Sequence, residues 1–148
     1  MPRPMRIDDL TEIAVPTQPA LSPDASRLIY VLRTLAREHD RAVHQLWTVP
    51  TAEGAPRRLT QGIDDTSPAW SPDGTRLAFL RAADGPAQVW LLPVDGGEPQ
   101  QATWLPLGAG APVWSPDGSR LAFSSPSTPR RCPAKTTQYG PGARPPPW

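Results

Sequence analysis

A twelve-residue segment occurs three times in this chain, and that repetition limits it to architectures built from stacked units. Pro19-Ala-Leu-Ser-Pro-Asp-Ala-Ser-Arg-Leu-Ile-Tyr30 matches Pro68-Ala-Trp-Ser-Pro-Asp-Gly-Thr-Arg-Leu-Ala-Phe79 and Pro112-Val-Trp-Ser-Pro-Asp-Gly-Ser-Arg-Leu-Ala-Phe123. Six of the twelve positions are identical in all copies, and Ser22, Ser71 and Ser115 are 49 and 44 residues apart. A second element recurs between them. Gln45-Leu-Trp-Thr-Val-Pro50 returns as Gln88-Val-Trp-Leu-Leu-Pro93, and Gly54-Ala-Pro56 with Thr60 returns as Gly97-Glu-Pro99 with Thr103. Two sub-motifs repeating in the same order define one structural unit per period.

The residues of that unit specify β-structure. In Ser71-Pro-Asp-Gly74 the proline presets φ, the Asp accepts from nearby backbone N–H groups, and the glycine supplies a left-handed residue. The flanks, Ala69-Trp70 and Arg76-Leu-Ala-Phe-Leu80, are apolar runs of strand length. Ala83-Asp-Gly-Pro86 turns into a third strand at Val89-Trp-Leu-Leu92. Asp95-Gly-Gly97 turns into Pro99-Gln-Gln-Ala-Thr103, a polar edge strand in which Pro99 needs no ladder N–H. Leu77 and Phe79 point to one side and Ala78 and Leu80 to the other, so the sheet is covered on both faces. The unit is a four-stranded antiparallel meander the length of a propeller blade. The chain therefore reads as an all-β, partial β-propeller: about two four-stranded blades and the first hairpin of a third. In the first copy Ala25 stands where the turn needs a left-handed residue, at a cost of about 1 kcal/mol. The connection Arg33–His44 is six residues longer than Ala82–Ala87, and Arg37-Glu-His-Asp-Arg41 within it reads as a charged, exposed loop.

Three segments follow: a lead-in at 1–18, the repeat array at 19–125 and a tail at 126–148. Ile7–Ala14 is expected to form a short helix capped by Asp8 or Asp9, with Leu10, Ile13 and Ala14 on its apolar face. The tail holds seven prolines in 23 residues, no Gln-x-Trp and no apolar run, a composition expected to stay disordered. Charge divides at the same place. Residues 1–125 carry 11 basic and 14 acidic side chains, whereas the tail carries Arg130, Arg131, Lys135 and Arg144 without an acid. An acidic body has no general attraction for nucleic acid. No run approaches the ~18 apolar residues of a membrane helix, and the N-terminus has no signal-peptide core. The expected location is cytoplasmic, with neither a membrane nor a nucleic-acid partner.

Candidate chemistry is sparse. Cys132 is the single cysteine, so neither an internal disulfide nor a cysteine metal site can form. His39 and His44 lie five apart without a carboxylate set and read as solvated loop residues. Asp73, Asp84, Asp95 and Asp117 each precede a glycine, which turn formation explains. Gly108-Ala-Gly110 lacks the Gly-Lys-Ser/Thr of a phosphate loop. The serines sit in Ser-Pro-Asp turns, and no Gly-x-Ser-x-Gly elbow occurs. Trp47, Trp70, Trp90 and Trp114 recur at fixed positions and read as packing residues. No catalytic, cofactor-binding or metal-binding residue is assigned.

Leu21-Ser-Pro-Asp24, Leu59-Thr-Gln-Gly62, Ala69-Trp-Ser-Pro-Asp-Gly-Thr-Arg-Leu-Ala-Phe79 and Gly96-Gly-Glu-Pro99 together resemble a known family. Over about residues 6–125 the chain is similar to the N-terminal propeller of the prolyl oligopeptidase family of serine peptidases, in its acylaminoacyl-peptidase and dipeptidyl-peptidase-like bacterial branch. The resemblance implies a propeller that filters peptide substrates for a Ser-Asp-His triad in a C-terminal α/β-hydrolase domain. No position here matches that triad, so the chain is expected to be a fragment, inactive alone. The Pro-Asp hairpin is shared with the Tol-system propeller, which leaves a stand-alone protein- or peptide-binding module as the alternative. Unclosed propeller edges are expected to promote self-association.

Overall fold

The computed structural model describes residues 13–36 and 41–126. Three antiparallel sheets follow one another along the chain. The first blade comprises β1 (Val15–Leu21), β2 (Arg27–Ala36), β3 (Arg41–Pro50) and β4 (Arg57–Arg58), in that spatial order. The second comprises β5 (Asp65–Trp70), β6 (Arg76–Arg81), β7 (Gln88–Pro93) and β8 (Gln100–Gln101). A hairpin of β9 (Val113–Trp114) and β10 (Leu121–Ala122) begins a third. This is an unclosed, partial β-propeller, as the repeat implied. The helix expected over 7–14 lies outside the described residues except for Ile13 and Ala14, which are not helical. The tail beyond Pro126 lies outside them as well.

Each Ser-Pro-Asp segment closes its hairpin in the same way. The serine carbonyl accepts at 2.9 Å from the N–H of Ala25, Gly74 or Gly118, and these three residues have φ of 58°, 71° and 69°. Ala25 therefore adopts the left-handed conformation that its counterparts meet with glycine.

Most of the long connection of the first blade is paired strand, and residues 37–40 of the expected loop lie outside the described residues. β2 and β3 pair without interruption from Arg27↔Pro50 to Ala36↔Arg41, so only residues 37–40 remain between them. The equivalent pair β6–β7 runs from Arg76↔Pro93 to Arg81↔Gln88. The additional residues are Arg33–Ala36 on β2 and Arg41–His44 on β3. They can continue a ladder at no cost in unpaired backbone groups, and Val43 among them is buried.

The core lies between sheets. Ile29, Val31 and Leu46 of the first blade pack against Leu77, Phe79, Leu92 and Val94 of the second. The opposite face of the second blade, with Leu80 and Val89, packs on Ala109, Leu105 and Leu121 beside the third hairpin. Leu77, Ala78, Phe79 and Leu80 are all buried although they alternate sides, because both faces of this blade are covered. Complete burial of a side chain such as Phe79 or Leu77 contributes roughly 1.5–3 kcal/mol.

Candidate functional site

The repeated aspartates have a structural role. In the second blade Asp73 accepts from the Ser71 hydroxyl, the Thr75 hydroxyl (2.8 Å) and the Thr75 N–H (3.1 Å). Ser71 Oγ in turn accepts from the Arg76 N–H at 2.9 Å. Asp24 with Ser22 and Ser26, and Asp117 with Ser115 and Ser119, repeat the arrangement. Hydrogen bonds to the charged form, chiefly from the preceding serine hydroxyl, lower all three carboxyls from 3.8 to about 2. Asp84 and Asp95 make no such turn among the described hydrogen bonds, and Asp95 instead lies 3.9 Å from the Arg27 guanidinium.

The tryptophans pack and also connect blades. Trp70 and Trp90 line the core between the first two blades. The Trp70 indole N–H donates to the Ala20 carbonyl at 3.0 Å, and the Trp114 indole donates to the Ala69 carbonyl at 3.1 Å. One blade's inner strand is thereby tied to the preceding blade at the same repeat position. Leu21 occupies that position in the first blade and has no donor to offer. Gln18 and Ser67, both with positive φ at a bulge in the inner strand, form a second tie in which the Ser67 N–H donates to Gln18 Oε1 at 2.7 Å.

His44 is not a solvated loop residue. It belongs to β3, and its Nδ1 lies 2.9 Å from Asp64 Oδ1. Its backbone N–H donates to the Ile63 carbonyl at 3.0 Å, fixing the link between the two blades to the edge of β3. His39 lies outside the described residues, so the two histidines are not brought together among those described. Gly108 has a left-handed φ of 84° and its site is crowded by the Ala87 carbonyl, which gives Gly108-Ala-Gly110 a backbone-packing reason. Among the described residues no group of three or more His, Cys, Asp or Glu side chains could hold a metal ion.

The most distinctive polar arrangement involves residues that break the repeat. Asp65 is completely buried at the start of β5, and Arg81 at the end of β6 clamps it through Nε at 2.6 Å and Nη2 at 2.8 Å. The guanidinium also stacks 5.2 Å from the centre of the Phe79 ring and 5.0 Å from that of Trp90. Gly62 packs so tightly against the Asp65 carboxylate that a Cβ there would overlap its oxygens. Only a fully paired carboxylate is tolerable at such depth. The corresponding positions are Pro16 and Leu32 in the first copy and Ala109 and Ser125 in the third.

Arg81 also lines a cavity of about 530 Å³ between the two blades, together with Gln61, Gly62, Asp84, Glu98 and Pro99. One wall is the segment linking β4 to β5, and the other is the second blade. Neither Asp65 nor Arg81 belongs to a recognisable motif. The signal for them was comparative: a charged pair appears in one copy where the others carry small or apolar residues.

Residues 11–130 match the family model described as TolB beta propeller domain. The chain belongs to that family. An uncharacterized peptidase of Bacillus subtilis, YuxL, is 36% identical over 103 residues, covering 68% of this chain and 16% of its own length. The acylaminoacyl peptidase of Pyrococcus horikoshii superposes with a TM-score of 0.63 at 21% identity, over 76% of this chain and 17% of that one. A putative TolB from Agrobacterium tumefaciens gives a TM-score of 0.59 at 25% identity, over 75% of this chain and 38% of that one. The resemblance to peptidase propellers rests on both sequence and fold. The chain spans about a sixth of the length of the two peptidases.

Proposed function

We propose that this chain is the substrate-gating propeller portion of a prolyl oligopeptidase family serine peptidase, and that it does not hydrolyse peptides by itself. The observation that supports this most directly is the pairing of a peptidase-type propeller with a sequence lacking any Gly-x-Ser-x-Gly elbow. In this reading the segments 1–18, 19–125 and 126–148 are a lead-in, the blades and a disordered tail. The ligands are peptides presented to a separate α/β-hydrolase domain, and the chain resides in the cytoplasm. Unclosed blade faces let copies associate. The test is treatment of the purified chain with a fluorophosphonate probe and with aminoacyl p-nitroanilides. Neither labelling nor turnover is expected, and covalent labelling of any serine would overturn the reading.

The family match to TolB propellers favours a second reading, a binding module without a hydrolase. The two separate on one measurement. Supplied with the hydrolase domain of a related peptidase, a gating propeller restricts cleavage to short peptides, whereas a binding module leaves the size limit unchanged.

A further inference from the structure

We propose that Asp84 is a modification site: its carboxyl carbon is attacked by the Gly85 backbone nitrogen, giving an isoaspartyl linkage that is a substrate for a carboxyl methyltransferase with a sulfonium methyl donor. Four Asp-Gly pairs occur in this chain, at Asp73, Asp84, Asp95 and Asp117. Asp-Gly is open to this reaction because glycine puts no side chain in the path of its own nitrogen. All four aspartates are exposed, so exposure does not separate them. Hydrogen bonding does. Asp73 accepts from the Ser71 hydroxyl, the Thr75 hydroxyl and the Thr75 N–H, and Asp117 accepts from the equivalent groups of Ser115 and Ser119. The attacking nitrogens are engaged as well, since the Gly74 and Gly118 N–H groups each donate to the serine carbonyl at 2.9 Å. Reaction at either pair would break the turn that closes its hairpin. Both carboxyls are also held at about 2 against an ordinary 3.8, which makes the neutral acid scarcer by more than about tenfold at a given pH. The neutral acid is the form that loses its oxygen as water.

Asp84 has none of these restraints. It sits with Gly85 at the tip of the β6–β7 hairpin, beyond Arg81↔Gln88, the last pair of the ladder. Among the described residues its carboxylate accepts no hydrogen bond and the Gly85 N–H donates none. A Cβ built on Gly85 would meet nothing within 4 Å. The Asp84 carboxyl can therefore turn over the Gly85 nitrogen without breaking a described bond. Attack forms the N–Cγ bond and expels one water, closing a five-membered succinimide. Water then opens the ring at either carbonyl, so the net mass is unchanged. Opening at the former backbone carbonyl routes the chain through the side-chain carbon and leaves a free α-carboxylate. That carboxylate takes the methyl group, and the sulfonium donor departs as a neutral thioether. The added backbone carbon lies outside the ladder, so the blade keeps its register. Asp95 is intermediate. It also accepts no hydrogen bond among those described and is 87% exposed, but it lies 3.9 Å from the Arg27 guanidinium.

The test is timed incubation of the full chain at neutral pH. Digests are read by electron-transfer mass spectrometry, which distinguishes aspartyl from isoaspartyl linkages, and intact samples by radiolabelled methyl transfer with a purified isoaspartyl methyltransferase. Isoaspartate is expected at Asp84 first and at Asp95 more slowly, with Asp73 and Asp117 at least about tenfold slower than Asp84. In urea, where the turns are lost, the four rates should converge. Gly85→Ala places a methyl group beside the attacking nitrogen and should suppress the reaction at Asp84 while leaving Asp95 unchanged. Ser71→Ala frees the Asp73 carboxylate from its main donor and should speed conversion there. If that variant is unfolded by circular dichroism, Thr75→Ala removes the other hydroxyl and should act in the same direction. Equal rates at the four sites in the folded chain, Asp73 or Asp117 reacting first, the same order persisting in urea, or no isoaspartate at Asp84 while the urea-treated chain converts would each overturn the proposal.

Discussion

Ala25 carries a backbone conformation that its side chain disfavours, and it shows how a single residue's cost can be read against its repeats. Its φ of 58° lies in the region that Gly74 and Gly118 occupy in the other turns. Ala25→Gly should stabilise the chain by about 1 kcal/mol, the left-handed penalty less the greater freedom of glycine in the unfolded chain. Urea titration of the variant checks this, and Gly74→Ala should shift the midpoint oppositely. The aspartates of these turns act through charge. Asp24, Asp73 and Asp117 are held at about 2 in the fold against an ordinary 3.8, first by the serine two residues before. As pH falls below about 4 the unfolded chain takes up these protons before the folded chain does. Their contribution is thus complete above pH 4 and is lost progressively toward pH 2. Thermal melts across that window should fall, and Ser71→Ala should flatten the fall by releasing Asp73 from its main donor. The Ser-Pro-Asp-Gly turn was legible in the sequence because all its partners lie within five residues. Asp65 and Arg81 were not, since they are 16 residues apart and only the β5–β6 register brings them together.

At the level of the blade, covalent repetition and physical coupling follow different residues. Strand order and hairpin positions followed from alternation and turn chemistry, which are local. Coupling between blades depends on what a side chain meets on the next sheet. Trp70 was legible as a packing residue, yet its N–H to the Ala20 carbonyl needed the relative position of two sheets. The strand character of Arg33–Ala36 and Arg41–His44 was not legible, because the charged residues 37–41 dominate the local composition and hide how far the β2–β3 ladder extends. The ion pair Asp65–Arg81 gives the sharpest test at this scale. Asp65→Ala or Arg81→Leu alone leaves a buried charge and should cost roughly 3–5 kcal/mol. The double variant, which approximates the apolar character of Pro16 and Leu32 in the first copy, should recover most of that loss. A double-mutant cycle in urea decides whether the pair is coupled, and additive losses would show that it is not.

Among the described residues, blades bury one another, and the first blade's face away from the second is not covered by another sheet. Leu77 and Phe79 are fully buried against the first blade. Their counterparts Leu28 and Tyr30 are only half-buried and, with Pro16, Pro19 and Leu32, line a groove of about 460 Å³ on the first blade's other face. Trp47, opposite Tyr30 in the register, has a buried indole N–H with no hydrogen-bond partner among the described residues. Leu21 at the tryptophan position is 54% exposed. The same residue types therefore play different energetic parts according to place in the array. Phe79→Ala should cost roughly 3–5 kcal/mol, as a cavity in the core between blades does. Tyr30→Glu should leave the urea midpoint nearly unchanged and instead suppress association between copies, because it places a charge on the uncovered face. Sedimentation velocity over a range of concentrations separates the two effects. If Tyr30→Glu unfolds the chain as Phe79→Ala does, the first blade's face is core rather than surface. If association persists unchanged in a folded Tyr30→Glu variant, copies meet elsewhere, and the open side of the third hairpin becomes the surface to examine.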